Sequence, residues 1–252
     1  MIKVVIIGSG NVAHHLIKIC QETASIDLIQ VVVRDKIAVE QLVPAAKIIT
    51  DYQSIAVANV YILAVSDKAI AEVSEKLPFQ NRLVVHTSGA SEMTIINSKN
   101  RKGVFYPLQT FSKNKNVLFN EIPICIESQF PDDYTLLETL AQQISQKVLP
   151  ISSSQRKSLH LAAVFVCNFV NHLYHIGHEI CSENQVPFEI LQPLIQETAA
   201  KIQKVSPSEA QTGPAIRNDT QTIDNHLDLL HNETNKELYK LITKSIQNVK
   251  KL

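Results

Sequence analysis

The sequence has no excess of either charge: 24 Lys and Arg balance 24 Asp and Glu in 252 residues. That removes the electrostatic footprint of a nucleic-acid binder or of a protein held on an anionic membrane surface. No apolar run reads as long enough to span a bilayer, and no leader is expected, because the N-terminus already has the pattern of a buried strand. The cysteines Cys20, Cys125, Cys167 and Cys181 form no CxxC pair. Each falls in an apolar stretch and reads as a reduced core thiol. A soluble, reducing, cytoplasmic setting is expected. Internal repeats and low-complexity segments are absent. Glycine is scarce, at six residues, yet two of the six stand at positions 8 and 10.

Those two glycines carry the most information. Val4–Ile7 is apolar and β-branched, the pattern of a strand buried on both faces. It runs into Gly8-Ser9-Gly10-Asn11-Val12-Ala13 and then a helical stretch with Leu16, Ile17 and Cys20 on one face. In a strand–turn–helix of this kind, Gly8 permits the tight turn and Gly10 lets backbone approach a pyrophosphate. Ala13 allows helix to pack closely on strand. The helix N-terminus offers N–H groups and a positive dipole end to the phosphates. Dinucleotide binding is the expectation.

Up to residue 151 the chain alternates β-rich and helical segments, as in a doubly wound, mostly parallel sheet. Further strands are expected at Leu28–Val33, Lys47–Ile49, Val60–Val65, Leu83–Thr87, Gly103–Tyr106, Ile122–Ile126 and Val148–Ile151. Asp132 or Asp133 can cap a helix with Leu136, Leu137, Leu140 and Ile144 on one stripe. From residue 152 to 252 the pattern becomes all-helical. Gln155–Asn184 contains no proline and only Gly177, and its early part is apolar nearly all round. Such a helix is buried on most sides, and a second subunit is expected to supply part of its cover. Another helical region runs from Pro187 to Val205, interrupted at Pro193. Ser206–Asp219 reads as a loop, and Thr220–Leu230 and Glu233–Lys250 as the last helices. The fold class is therefore α/β, an N-terminal Rossmann-type sheet with a C-terminal all-α domain. A chain of this length suits two such domains.

NAD-binding folds place an Asp or Glu against the ribose 2′-hydroxyl about 20 residues beyond the glycine turn. Here that position falls near Val33, followed by Arg34, Asp35 and Lys36. A guanidinium there suits a 2′-phosphate, which it grips with paired N–H donors. NADP is favoured over NAD, with Asp35 as the residue that could reach the ribose instead.

The GSGNVA turn, the strand Val60–Asp67, the segment Val84–Ala90, the run Tyr106–Ser112 and the loop Thr212–Asp219 occur together. That set resembles the two-domain Rossmann-like oxidoreductases of the DUF2520 family. These are distantly similar to pyrroline-5-carboxylate reductase and the 6-phosphogluconate dehydrogenase superfamily. The resemblance extends over nearly the whole chain and implies an NADP-binding domain followed by a helical dimerisation domain. It puts Gly8, Ser9, Gly10, Asn11 and Val12 around the pyrophosphate and Arg34 at the adenosine phosphate. Ala64, Val65 and Ser66 would pass beneath the nicotinamide ribose, and His86, Thr87 and Ser88 would face the nicotinamide. The superfamily's hydroxyacid dehydrogenases carry a catalytic Lys four residues before an Asn on the first long helix. With Asn168 as that Asn, the Lys position is Val164.

His160 is the alternative polar group on that helix, able to protonate an alkoxide or imine nitrogen near neutral pH. It precedes Asn168 by eight residues, about 80° apart on an ideal helix, so both could face one cleft. His172, His175 and His178 lack a completing carboxylate or Cys and drift around the helix, so no metal site is expected. Arg217 could clamp a substrate carboxylate or pair with Asp219, with Thr212 nearby; Tyr106 and Gln109 flank Pro107 beside the expected cleft. The reading is an NADP-dependent oxidoreductase acting on a small carbonyl, imine or hydroxy compound, working as a homodimer. His160 or His86 would be proton donor, with Ser88 and Asn168 as polar contacts. A non-catalytic NADP sensor or scaffold, and an enzyme pairing NADP with a deazaflavin, stay open as alternatives.

Overall fold

The computed structural model describes residues 1–249. Eight strands form one sheet: β1 (Ile2–Ile7), β2 (Ile26–Val32), β3 (Ile48–Ile49), β4 (Val60–Leu63), β5 (Leu83–His86), β6 (Arg101–Pro107), β7 (Ile124–Ser128) and β8 (Val148–Pro150). Their order is β3-β2-β1-β4-β5-β6-β7-β8. All neighbours from β3 to β6 are parallel, β7 runs antiparallel to β6, and β8 is parallel to β7. Every strand expected from the sequence is present, with ends shifted by at most two residues. Three helices belong to this region, α1 (Asn11–Glu22), α2 (Ile70–Glu75) and α3 (Pro131–Gln142).

Alternation along β1 explains why its sequence is uninterruptedly apolar. Val4 and Ile6 join one buried cluster with Leu16, Ile17 and Leu137, whereas Val5 and Ile7 join the opposite cluster with Ile70, Val73 and Leu77. Both faces are covered, so neither parity of the strand can be polar. The chain leaves β1 toward β2 and β3, then crosses back to place β4 on the other side of β1. That reversal opens a crevice at the carboxyl ends of β1 and β4, where such sheets bind ligands.

The remaining helices are α4 (Ser153–Ala163), α5 (Val170–Glu183), α6 (Gln192–Lys201), α7 (Pro207–Ala210), α8 (Pro214–Arg217), α9 (Thr220–Leu229) and α10 (Glu233–Asn248). Ser152 starts α4 with a reciprocal capping box, its side chain accepting from the Gln155 N–H while the Gln155 side chain accepts from its own. A π turn over Val164–Phe169 joins α4 to α5. Two compact units result, Met1–Phe165 and residue 166 onward. The division falls inside the long helix, against the 1–151 and 152–252 read from the sequence. The first turns of α4 belong to the sheet unit because Ser153 and Arg156 are buried in it.

Three further expectations change. Pro193 does not interrupt a helix; it occupies the first turn of α6, where its missing N–H costs no hydrogen bond. The stretch Ser206–Asp219 is not a plain loop, since α7 and α8 lie within it, each with proline in its first turn. The segment Ser153–Glu183 is, by length and composition, long and apolar enough to cross a membrane, contrary to the expectation that no run reaches that length. Asp219 caps α9 as expected, accepting from the Thr222 N–H at 3.1 Å. The last helix ends at Asn248, with Val249 extended, short of the expected end at Lys250, which itself lies outside the described residues. Cys20 and Cys125 are core thiols, but Cys167 and Cys181 are only half-buried.

Candidate functional site

The two glycines of the first turn do different work. Gly8 sits at φ +133°, and a Cβ built there would stand 2.2 Å from the Ala64 carbonyl oxygen. The turn is clamped on both sides, with the Gly8 N–H donating to Val32 and the Ala64 N–H to Ile7. Glycine at 8 is thus demanded by the fold. Gly10 is different: its backbone is extended and a Cβ there would meet nothing within 4 Å. The chain itself gives no reason for glycine at 10. Ser9 and Val12 are half-buried, and Val12 packs on the core. The Asn11 side chain donates to the Phe111 carbonyl at 2.8 Å, and His15 Nε2–H donates to that of Ser112 at 2.9 Å. The segment after β6 is thereby tied to the glycine turn.

At the end of β2, Val33 is buried and Arg34 is exposed. Asp35 accepts from the Ile37 N–H at 3.0 Å and so caps the turn that follows. Arg34 lies close enough to act electrostatically on Glu72 and Tyr52. Ala64 is buried, Val65 half-buried and Ser66 exposed, descending from the end of β4.

The end of β5 is more buried and more polar. His86 is fully buried, its Nδ1 accepting from the Ser88 N–H at 3.1 Å and its Nε2–H donating to the Glu92 carbonyl at 3.2 Å. Burial, reinforced by the nearby Arg156 charge, pushes its pKa down to about 4. The imidazole is therefore a neutral strut with both nitrogens engaged. Thr87 and Ser88 are also buried, and Ser88 Oγ accepts from the Ala90 and Ser91 N–H groups at 3.1 and 2.9 Å.

Arg156 holds this loop against α4 and was not anticipated. Its side chain is wholly buried, with Nη1 donating to Glu127 at 2.6 Å, Nε to the Ser88 carbonyl at 3.1 Å and Nη2 to the Ser91 carbonyl at 2.6 Å. Ser153 Oγ donates to the same Glu127 carboxylate at 2.7 Å. In the polar run Ser152–Ser158 a buried arginine looks like any solvated one. The acid Glu127 directly after the apolar run Ile124–Ile126 was the available signal.

His160 stands one turn further along α4, half-buried, with Nδ1 3.4 Å from the Tyr106 hydroxyl at the end of β6. Gly89 touches both side chains. Tyr106 and His160 thus meet over Gly89, at the carboxyl ends of β5 and β6. Gln109 is exposed and accepts from the Thr110 N–H.

The remaining expected residues lie in the second unit. Asn168 is exposed within the π turn, through which the 3.6-residue spacing used to place it does not hold. Thr212 lines a largely apolar cleft of about 240 Å³ with Leu173, Ile176, Pro214, Leu238 and Tyr239. Arg217 is exposed, and its charge helps hold the Asp219 carboxyl low, after the larger effect of the Thr222 hydrogen bonds. His172, His175 and His178 are exposed, with His175 3.3 Å from Glu179. Among the described residues, no three His, Cys, Asp or Glu side chains gather as a metal site.

A glycine turn at the switch point of an open parallel sheet, followed by a helical region, defines a Rossmann-type nucleotide-binding class. Residues 122–246 match the family model described as domain of unknown function (DUF2520), and residues 3–90 match that of the NADP oxidoreductases, coenzyme F420-dependent. The chain is 38% identical to a provisionally assigned NADP oxidoreductase from Bacteroides fragilis, covering 98% of each chain with a TM-score of 0.89. It belongs to this DUF2520 family of the NADP oxidoreductase type. At 15% identity it shares the fold of an imine reductase from Pseudomonas sp., covering 98% of this chain and 93% of that one (TM-score 0.75). At the same identity it shares that of a 1-pyrroline-5-carboxylate reductase from Streptococcus pyogenes, covering 98% and 99% (TM-score 0.64). No curated protein matches the chain.

Proposed function

We propose that this protein is an NADP-dependent oxidoreductase that moves hydride between the nicotinamide and a small carbonyl, imine or hydroxy compound. The observation that carries the cofactor is Gly10, a glycine the fold does not need, bordering open space at the start of α1. Gly8 to Val12 would hold the diphosphate. NADP is favoured over NAD because Arg34 is exposed where the adenosine ribose is expected, while the Asp35 carboxylate already caps its own turn. The bound cofactor supplies hydride chemistry; the chain supplies orientation and a proton.

His160 is the proton donor in this reading. His86 is set aside because both its nitrogens are engaged and its ring stays neutral far below pH 7. The meeting of His160 and Tyr106 over Gly89 favours an enzyme over a sensor, which needs no titratable group beside its ligand. The protein would work as a homodimer, a second copy covering the apolar face of the long helix, in a cytoplasm that keeps its four free cysteines reduced.

Titrating NADPH and NADH against wild type and Arg34→Ala tests the cofactor. NADPH should bind more tightly, and removing the guanidinium should cost about 1.5–3 kcal/mol of NADPH affinity alone. Equal wild-type affinities would refute the preference.

A further inference from the structure

Gly89 is a glycine that makes room. Its φ lies outside the left-handed range, yet a Cβ there would stand 2.7 Å from His160 Nδ1 and 2.9 Å from both His160 Cγ and Tyr106 Cζ. Bare backbone at the end of β5 thus accepts two side chains separated by 54 residues in sequence. Their rings stand edge-on, with centroids 6.5 Å apart and an interplanar angle of 71°. Tyr106 Oη is 3.4 Å from His160 Nδ1, a little beyond the ordinary N–H···O range, so that a small shift of either ring closes the bond.

In a neutral imidazole, the bond made by one ring nitrogen decides which nitrogen carries the proton. We propose that Tyr106 is a positioning residue: its Oη accepts from His160 Nδ1–H and thereby assigns Nε2 as the nitrogen that delivers the proton. Gly89 keeps the slot open in which the two rings meet. When the hydride acceptor takes its proton, the Nε2–H bond of the imidazolium breaks and an N–H or O–H bond forms on the substrate. The remaining proton stays on Nδ1, held by Tyr106, and Nε2 recovers a proton from water. The proposal rests on His160 being the proton donor.

The assignment has a signature independent of turnover, because free histidine in its neutral form prefers the Nε2–H tautomer. Imidazole ¹⁵N spectra of the full-length protein, labelled at histidine, should show neutral His160 as the Nδ1–H form. Tyr106→Phe should return it to Nε2–H. Gly89→Ala should do the same while leaving both side chains chemically intact. His86 serves as an internal control and should remain Nε2–H throughout. In turnover of small imines and carbonyls, Tyr106→Phe should lower kcat roughly 10- to 100-fold, part of what a general acid contributes, with KM for NADPH unchanged. Finding Nε2–H in wild-type His160, or a tautomer indifferent to Tyr106→Phe, would overturn the assignment while leaving the oxidoreductase reading in place. Failure of NADPH to bind the wild-type chain would instead remove that reading, and the catalytic role of the pair with it.

Discussion

The two units of this chain bury their side chains to very different extents. In the sheet unit, both faces of β1, β4 and β5 are sealed, and even an arginine is fully enclosed. Among the described residues of the helical unit, Ala215 is the only buried apolar side chain, while Val166, Leu194, Leu229 and Leu241 are each more than 60% exposed. A sheet with helices on both faces closes its own core. Helices as amphipathic as α5 and α10 leave apolar surface on display unless something else covers it. In the proposed reading, cofactor chemistry belongs to the closed unit and assembly to the open one.

The sheet unit can be broken hardest at Arg156. Arg156→Met leaves Glu127 without its charged partner, keeping only the Ser153 hydrogen bond, and losing half of a buried pair costs about 3–5 kcal/mol. Urea unfolding should show that loss, and Arg156→Met combined with Glu127→Gln should recover part of it. A midpoint within error of wild type would mean that the pair does not hold the β5 loop to α4.

His86 offers a smaller effect with a definite pH dependence. Folded, its pKa is lowered to about 4; unfolded, it titrates near 6.5. Between those values only the unfolded chain takes up the proton, so protonation favours unfolding. Stability should be full above pH 6.5 and fall by about 3 kcal/mol as pH drops toward 4. His14, whose pKa is also lowered, adds in the same direction. Urea titrations across that range should show a flatter profile for His86→Asn; identical profiles would refute the buried neutral imidazole.

The helical unit gives the mildest perturbation. Wild type should sediment at micromolar concentration as a dimer of the 28.1 kDa chain. Phe169→Glu or Leu173→Glu should weaken it by about 1.5–3 kcal/mol each, the worth of one large apolar side chain, without lowering the stability of the sheet unit. A wild-type monomer at that concentration would remove the dimer from the account.

What the sequence disclosed follows the same division. Strands buried on both faces and the glycine turn announce themselves because local pattern and tertiary position agree. The Tyr106–His160 approach does not, since it depends on elements far apart in sequence meeting at Gly89. Arg156 escaped notice because burial of a charge depends on distant carbonyls, not on its own neighbours. The π turn was invisible for a different reason: helical periodicity presumes uniform geometry, so Asn168 was assigned a face by a spacing the backbone does not keep. Proline was read too simply, as an interruption at 193, where it marks a helix start.

The central claim is that the closed unit holds a dinucleotide at a glycine the fold does not require. NADPH binding to wild type and to Gly10→Val, measured by fluorescence titration beside far-ultraviolet circular dichroism and an unfolding curve, tests it most directly. A Cβ at position 10 meets no protein atom within 4 Å, so the variant should fold and unfold as wild type does. Its side chain would fill the space where diphosphate meets backbone, so NADPH binding should be lost. A folded Gly10→Val that keeps wild-type NADPH affinity would contradict the account.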